Sequence, residues 1–413
     1  MQAIVDLLCK YKQRDTKGYA IESLWKFLIY SEIGRELYYK LIKIHPSALS
    51  DDEEKFVEYI SSKKDIFLND FSIRLENCID SLLNDSNNKY EKVQDIRLAI
   101  SERLHSSVLK ILSGFLYRLF HSYSRIAILV DNIDKAWEDQ GNIQILSELI
   151  IGLLRTTKII SDNIQKNIPS YKHIFISLCV FLRTDIFYKV KQVSREPDKI
   201  SFSKIEWNDP QLLIRIIEER FIASNNYKVD SSTLWDKYFC KKVKNKPIKD
   251  YIISVILFRP RDILYFLNSA VATAINRSHS FVEENDIITA EKEYSQYAME
   301  SIVVENTLTN YNIENLLYEF AGNPEIINYD ELIDTISKVP HDKKVETQES
   351  INLLCSLTFL GIEIDKSKFV FSEDPQDFRK YNVIAQKYSK TQNMIRRYRV
   401  HPAFHAFLEI TNN

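Results

Sequence analysis

The sequence predicts an α/β fold followed by all-α segments, on three observations. Two short apolar runs, 126–131 and 173–182, contain β-branched residues and stop abruptly at charged ones, as buried strands do. Long stretches around them carry apolar residues at helical spacing. Beyond residue 303, three helical segments precede a hairpin-like stretch. At 413 residues the chain is long enough for two to three domains, each with its own core. The expected divisions are an α/β core with a helical beginning (1–208), a helical domain (209–302) and a small C-terminal domain (303–413).

Residues 1 to about 120 read as helical. Leu24, Phe27, Leu28, Ile33, Leu37 and Leu41 share one face of a helix over 21–42, and Asp51 to Glu54 place four acids at a helix N-terminus, where the dipole favours them. A further amphipathic segment spans 98–119. The first strand follows at 126–131, then a helix over 143–154, and the second strand ends in Arg183-Thr184-Asp185. A third, weaker strand is expected over 199–207, where Ile200, Phe202 and Ile205 are set off by polar residues. Helices are expected at 209–224, 231–240, 263–275 and 287–302, with a basic loop at 241–249. The tail reads as helices at 313–321, 329–338 and 346–359, a hairpin at 361–372, a strand at 397–400 and a last helix from Pro402.

Composition excludes several classes. Seven glycines are present where average usage of ~7% would give roughly 29. No two are five apart and none precedes lysine, so the chain contains no G-x-x-x-x-G-K-[ST] phosphate loop, and G-x-G-x-x-G is missing too. Five scattered cysteines with no C-x-x-C pair disfavour a disulfide framework or a zinc site and suit a cytoplasmic setting. The longest apolar run, Ile174 to Leu182, is far short of the ~20 residues of a membrane helix. A net charge of −2 gives the whole molecule no attraction to nucleic acid or acidic membranes.

The chemistry concentrates in ILVDNIDKAW, Ile128 to Trp137. An aspartate at the carboxyl end of a strand lies where open α/β sheets place their ligand groups, and a Walker B strand offers its carboxylate to nucleotide-bound magnesium in this way. This segment resembles Walker B, with Asp131 in the magnesium position. FLRTDIF, Phe181 to Phe187, resembles sensor 1, with Arg183 facing the γ-phosphate. FRPRDILYFLNSA, Phe258 to Ala270, resembles the sensor-2 helix, with Arg261 as its phosphate-facing arginine. In their order, and with a tail of winged-helix order, these motifs resemble bacterial P-loop ATPases of the STAND/AAA+ type, including origin-recognition-like members associated with DNA repair and phage defence.

The resemblance implies an incomplete parallel-sheet P-loop ATPase core, a helical lid and a C-terminal winged helix. It implies ATP and Mg2+ as cofactors only if the phosphate loop is supplied by a missing segment or a second polypeptide. Asn132 stands where many members carry the catalytic acid and cannot act as a base; Asp134 is the alternative group to polarise water. In the family's sheet order the missing first strand lies beside the sensor-1 strand, so its loss would expose unpaired apolar edges that invite another chain, including a second copy. DNA is the implied partner of the winged helix, through Lys390, Arg396, Arg397 and Arg399.

Each assignment has a competitor. Asp131 and Asp134 could cap a helix, Arg183 could form a surface ion pair, and Arg261 could pair with Asp262, leaving Arg259 to serve instead. Tyr398 could stack on a base or pack in the core. His401 and His405, four apart, suit a packed or solvated pair better than a metal site. Lys241 to Lys249 reads as a solvated loop. The competing function is a non-enzymatic DNA-binding or protein-interaction module built on an ATPase scaffold.

Overall fold

The computed structural model describes residues 19–70, 73–74, 77, 108–133, 143–168, 174–194, 196–200, 202–305, 313–339, 347–372 and 375–411. Mixed α and β structure is present, predominantly helical with small sheets. The chain divides into two units, 1–202 and 203–413. No helix among the described residues is long and apolar enough to cross a membrane.

The first unit is built on α1 (Tyr19–Leu41). Its apolar residues Leu24, Phe27, Leu28, Leu37 and Leu41 are buried, as their spacing predicts. Helix α2 (Asp51–Ser61) starts with a capping box in which the Glu53 carboxylate accepts the Ser50 N–H at 2.8 Å. The short α3 (Lys64–Phe67) and then α4 (Lys110–Leu119) follow, and α4 buries Leu112, Leu116 and Leu119. Residues 98–107 of the expected 98–119 helix lie outside the described residues.

Strand β1 (Arg125–Val130) leads to α5 (Ile143–Asn167), which runs thirteen residues beyond its expected end at 154. Thr156 and Thr157 return their hydroxyls to the carbonyls of Gly152 and Leu154, so these polar residues do not interrupt the helix. Strand β2 (Phe175–Val180) and α6 (Thr184–Val193) complete the unit. β1 and β2 pair in parallel, from Arg125 opposite Phe175 to Val130 opposite Val180. One face of the pair, carrying Ile126, Ile128, Val130, Ile176, Leu178 and Val180, packs on the helical core. The other face is open, with Leu129 67% and Phe175 60% exposed.

The expected third strand at 199–207 does not form. Pro197–Lys199 is a turn of 3-10 helix and 202–207 has no regular structure. The alternating apolar residues there are largely exposed, Phe202 55% and Ile205 71%, although the Phe202 ring lies 4.5 Å from Phe187 with the Lys191 ammonium over it. Among the described residues β1 and β2 have only each other as partners.

The second unit begins with α7 (Pro210–Ser224), whose Asp209 cap accepts the Gln211 N–H at 2.9 Å, and α8 (Ser231–Tyr238). The expected basic loop is instead a tight hairpin, β3 (Lys242–Val243) and β4 (Lys246–Pro247), closed by Lys244 and Asn245 at positive φ. Helices α9 (Ile248–Val255), α10 (Pro260–Asn276) and α11 (Glu284–Glu305) follow. Then come α12 (Ile313–Tyr318), β5 (Ile326–Asn328), α13 (Tyr329–Ser337), α14 (Thr347–Ser356), β6 (Leu360–Asp365) and β7 (Lys368–Val370). Helix α15 (Pro375–Gln392), β8 (Arg397–Val400) and the short α16 (His405–Leu408) end the chain's described part.

The last sheet is antiparallel in the order β5-β8-β6-β7. Its buried residues join those of α7 to α11 in one continuous core, so the expected division at 302/303 falls inside a single packed unit. The Phe407 N–H, for instance, is accepted by the Ser295 hydroxyl of α11 at 3.0 Å.

Gly152 sits where α5 crosses α1, and a Cβ there would lie 2.3 Å from Ile21 Cγ2. The gain in helix propensity from Gly152→Ala is smaller than the cost of forcing the helices apart. We expect a net loss of about 1–3 kcal/mol in thermal or urea unfolding of the first unit.

Candidate functional site

The ladder of β1 and β2 sets the positions of the first two predicted residues. The Phe181 N–H is accepted by the Val130 carbonyl at 2.9 Å, so both strands end at the same level. Asp131 follows β1 directly, and Arg183 follows β2 and caps α6 with extended backbone (φ −64°, ψ 144°). Both are exposed at the carboxyl end of the parallel pair, the end at which α/β sheets hold ligands.

Behind Asp131 the chain turns sharply. Asn132 takes positive φ (58°), which asparagine tolerates better than most residues, and its N–H is accepted by Asp131 Oδ1 at 2.8 Å. Ile133 is buried beyond it and anchors the turn. One carboxylate oxygen is thus used locally, and the carboxylate stays at the surface. Asp134 lies outside the described residues. No cluster of three His, Cys, Asp or Glu suited to an ion occurs among the described residues.

Arg261 belongs to the second unit, on the first turn of α10, with its Nε 3.7 Å from Asp262 Oδ2. Asp262 is buried and accepts the Tyr294 hydroxyl at 2.8 Å, while the Tyr294 oxygen accepts the Leu257 N–H at 2.9 Å. Burial and the neighbouring Asp262 push the Tyr294 hydroxyl well above its ordinary range, so it stays a donor. The start of α10 is therefore tied to α11 by hydrogen bonds as well as by packing.

The four basic residues near the C-terminus have unequal surroundings. Arg397 makes a two-pronged ion pair with Glu363, its Nε 2.8 Å from Oε2 and its Nη2 on Oε1. Glu363 is only 5% exposed, and the pairing raises the Arg397 guanidinium above its ordinary range. Arg399 Nη2 lies 3.0 Å from Glu325 Oε2. Arg396 covers the Tyr329 ring at 4.8 Å, and Lys390 is exposed on the last turn of α15. Tyr398 is buried in the core, so of its two expected roles it packs.

Residues 211–303, which run from α7 almost to the end of α11, match a family described as the FunZ-associated C-terminal helical domain. The chain is also 23% identical over 297 residues to the "Putative transposon gamma-delta 80.3 kDa protein" of Escherichia coli (strain K12). That alignment covers 68% of this chain and 38% of the relative, so the chain spans well under half of that protein's length. No solved structure matches.

His401 and His405 are packed. His401 Nδ1 accepts the Ala403 N–H at 3.1 Å, and its ring meets Phe371 and Phe404 edge-on. His405 Nε2 lies 2.8 Å from the Val400 carbonyl and donates to it. Burial lowers His401 to about 3 and also lowers His405.

Sequence reasoning passed over a cleft of about 690 Å³ in the second unit, lined by the β3–β4 hairpin, α9, α11 and the segment after β8. Lys244 was noticed only as part of a basic run. Tyr251 and Glu291, which meet in this cleft, are forty residues apart and carry no local signal.

Removing Arg397 leaves Glu363 buried without its partner. We expect Arg397→Ala to cost about 2–4 kcal/mol in denaturant unfolding, whereas Lys390→Ala stays within about 0.5 kcal/mol. The two histidines add a pH dependence. Their imidazoles titrate near 6.5 when unfolded and lower when folded. The unfolded state therefore takes up protons first, and stability is complete above about pH 6.5 and declines as the pH falls toward about 3. Unfolding at pH 5 is expected to need about 1–2 kcal/mol less than at pH 7, with a smaller difference in His401→Asn.

Proposed function

We propose that this chain is a P-loop ATPase-like protein of the STAND/AAA+ type whose phosphate-binding loop comes from another polypeptide segment. It would act in a DNA-linked process such as transposon biology, phage defence or repair. One observation carries this reading: Asp131 and Arg183 both follow the carboxyl end of an in-register parallel strand pair. A helical unit that matches a named family and a relative named for a transposon support the DNA-linked setting.

The open face of β1 and β2 supports the missing segment. Parallel strands are normally covered on both faces, and here Leu129, Phe175 and Phe181 are exposed. A further strand and helix bearing a G-x-x-x-x-G-K-[ST] loop would cover them and bring backbone N–H groups to the Asp131 end.

Phosphoryl transfer depends mainly on position and charge. Asp131 fits a magnesium ion held through water, since Mg2+ keeps several waters and takes its other oxygens from phosphates. When bound, the ion would neutralise charge on the β- and γ-phosphates. Arg183, at the start of α6, would stabilise charge on the γ-phosphate beside the positive end of that helix. Asn132 can orient a water through hydrogen bonds but cannot remove its proton, which leaves Asp134 for that role. Arg261, the sensor-2 arginine on this reading, stands 3.7 Å from Asp262 and would have to leave it to meet a phosphate.

The alternative is a non-enzymatic DNA-binding or protein-interaction module. Asn132 and the lack of a phosphate loop in the sequence favour it. With winged-helix docking, the two prominent basic groups are Lys390 and Arg396, because Arg397 and Arg399 are engaged with Glu363 and Glu325.

The test is ATP turnover by the chain combined with the P-loop-bearing polypeptide of the same locus. We expect turnover in the combination, a fall of about 100-fold with Asp131→Ala, and a similar fall with Arg183→Ala. Turnover that ignores both substitutions would refute the ATPase reading. Loss of DNA retention on Lys390→Glu with Arg396→Glu, alongside an indifferent Asp131→Ala, would establish the module instead.

A further inference from the structure

The cleft of the second unit has its own chemistry, separate from Asp131 and Arg183. Four cations line it, Lys244, Lys246, Lys292 and Arg399, against two carboxylates, Glu291 and Glu325. Its volume of about 690 Å³ is that of a small-ligand site.

Both carboxylates are already engaged. Glu291 is largely buried; its Oε2 accepts the Tyr251 hydroxyl and lies 3.3 Å from the Lys244 ammonium. Glu284 accepts the Lys244 backbone N–H at 2.8 Å, which fixes the tip of the hairpin over α11. Glu325 holds Arg399 at 3.0 Å. Each pair neutralises itself. Lys246 and Lys292 have no carboxylate partner among the described residues, and both are exposed at the cleft. His405 adds no charge near neutrality, because burial lowers it.

Among the groups that line the cleft the cations therefore exceed the carboxylates by two, on the compact ammonium groups of Lys246 in β4 and Lys292 in α11, with the Glu284 carboxylate held outside the lining against the Lys244 N–H. A buried carboxylate fixed by a tyrosine and a lysine holds the hairpin in place beneath them. Two lysine ammonium groups beside a concave surface suit a doubly charged phosphate, which they bind as point charges. A phosphodiester carries one charge and would use half of this excess.

We propose that this cleft binds a phosphate monoester, with Lys246 and Lys292 as the binding groups and Lys244 and Tyr251 as positioning residues acting through Glu291. The monoester belongs either to a free nucleotide or to the 5′ end of a DNA strand.

The experiment is calorimetric titration of the full chain with pyrophosphate, with AMP, and with a short single-stranded oligonucleotide carrying either a 5′-phosphate or a 5′-hydroxyl. Pyrophosphate is expected to bind. Lys246→Ala and Lys292→Ala are each expected to weaken it about tenfold, and the double variant more. Lys338→Ala, an exposed lysine that does not line the cleft, is expected to leave it unchanged. Both cleft lysines are exposed, so an unaltered melting temperature separates loss of binding from loss of fold. Binding of AMP without the oligonucleotide assigns the site to a nucleotide; binding of the 5′-phosphorylated strand over the 5′-hydroxyl strand assigns it to a DNA end. Measurable and equal binding of the two strands, no binding of AMP or of the 5′-phosphorylated strand, or wild-type affinity in the folded double variant would overturn the proposal. These titrations need no P-loop-bearing polypeptide and no ATP turnover, so failure of the ATPase reading leaves them unaffected.

Discussion

The register of the β1–β2 ladder is the constraint on which the first unit depends. Parallel pairing fixes both the level and the direction of the two strands, and side chains alternate strictly between the two faces. A slip of one residue would turn Ile126, Ile128 and Val130 away from α1 and α5 and present Ala127 and Leu129 to the core. The helical core thus enforces the register, and the register sets Asp131 at the level where β2 gives way to the segment leading into α6. The same alternation leaves an apolar outer face, carrying Leu129 and Phe175, that a finished α/β sheet would cover.

The second unit is held together differently. Its buried carboxylates each have assigned partners: Asp262 with Tyr294, Asp286 with Arg277 and His279, Glu291 with Tyr251 and Lys244, and Glu363 with Arg397. A buried charge without a partner is costly, so each pair selects one arrangement of the elements that carry it. Asp286 shows the consequence: contacts with His279, the Glu283 N–H and Arg277 outweigh its burial and lower its carboxyl below the ordinary range. The same pairing engages Arg397 and Arg399 with carboxylates while leaving them partly exposed, which bears on any nucleic-acid surface this unit presents.

Function, on the reading favoured here, divides between the units. The first contributes a carboxylate and an arginine at a sheet end, which suits nucleotide chemistry once a phosphate cradle is present. The second contributes a basic cleft and the helical region that matches a known family. Here the two sites use different residues and can be separated by substitution.

The sequence by itself determined where most elements lie and which residues face inward. Apolar spacing marked α1, α10 and both parallel strands, because burying one face of a helix or strand imposes a period that local sequence must display. Strand β8 was read with its bounds, Arg397 to Val400. Asp131 and Arg183 were legible for the same reason, as charged residues directly after apolar runs. Elements with little apolar contrast escaped: α15 has Ala385 as its one fully buried hydrophobic among described side chains, and β5 is three residues long. The run at 199–207 alternates without being a strand: Phe202 and Ile205 stay exposed, and alternation by itself says nothing of a neighbouring ladder. Only the tertiary structure decided the partners of the charges. Glu363 meets Arg397 and Tyr251 meets Glu291 across gaps of thirty-four and forty residues, and the strength of those contacts depends on burial that the whole fold supplies.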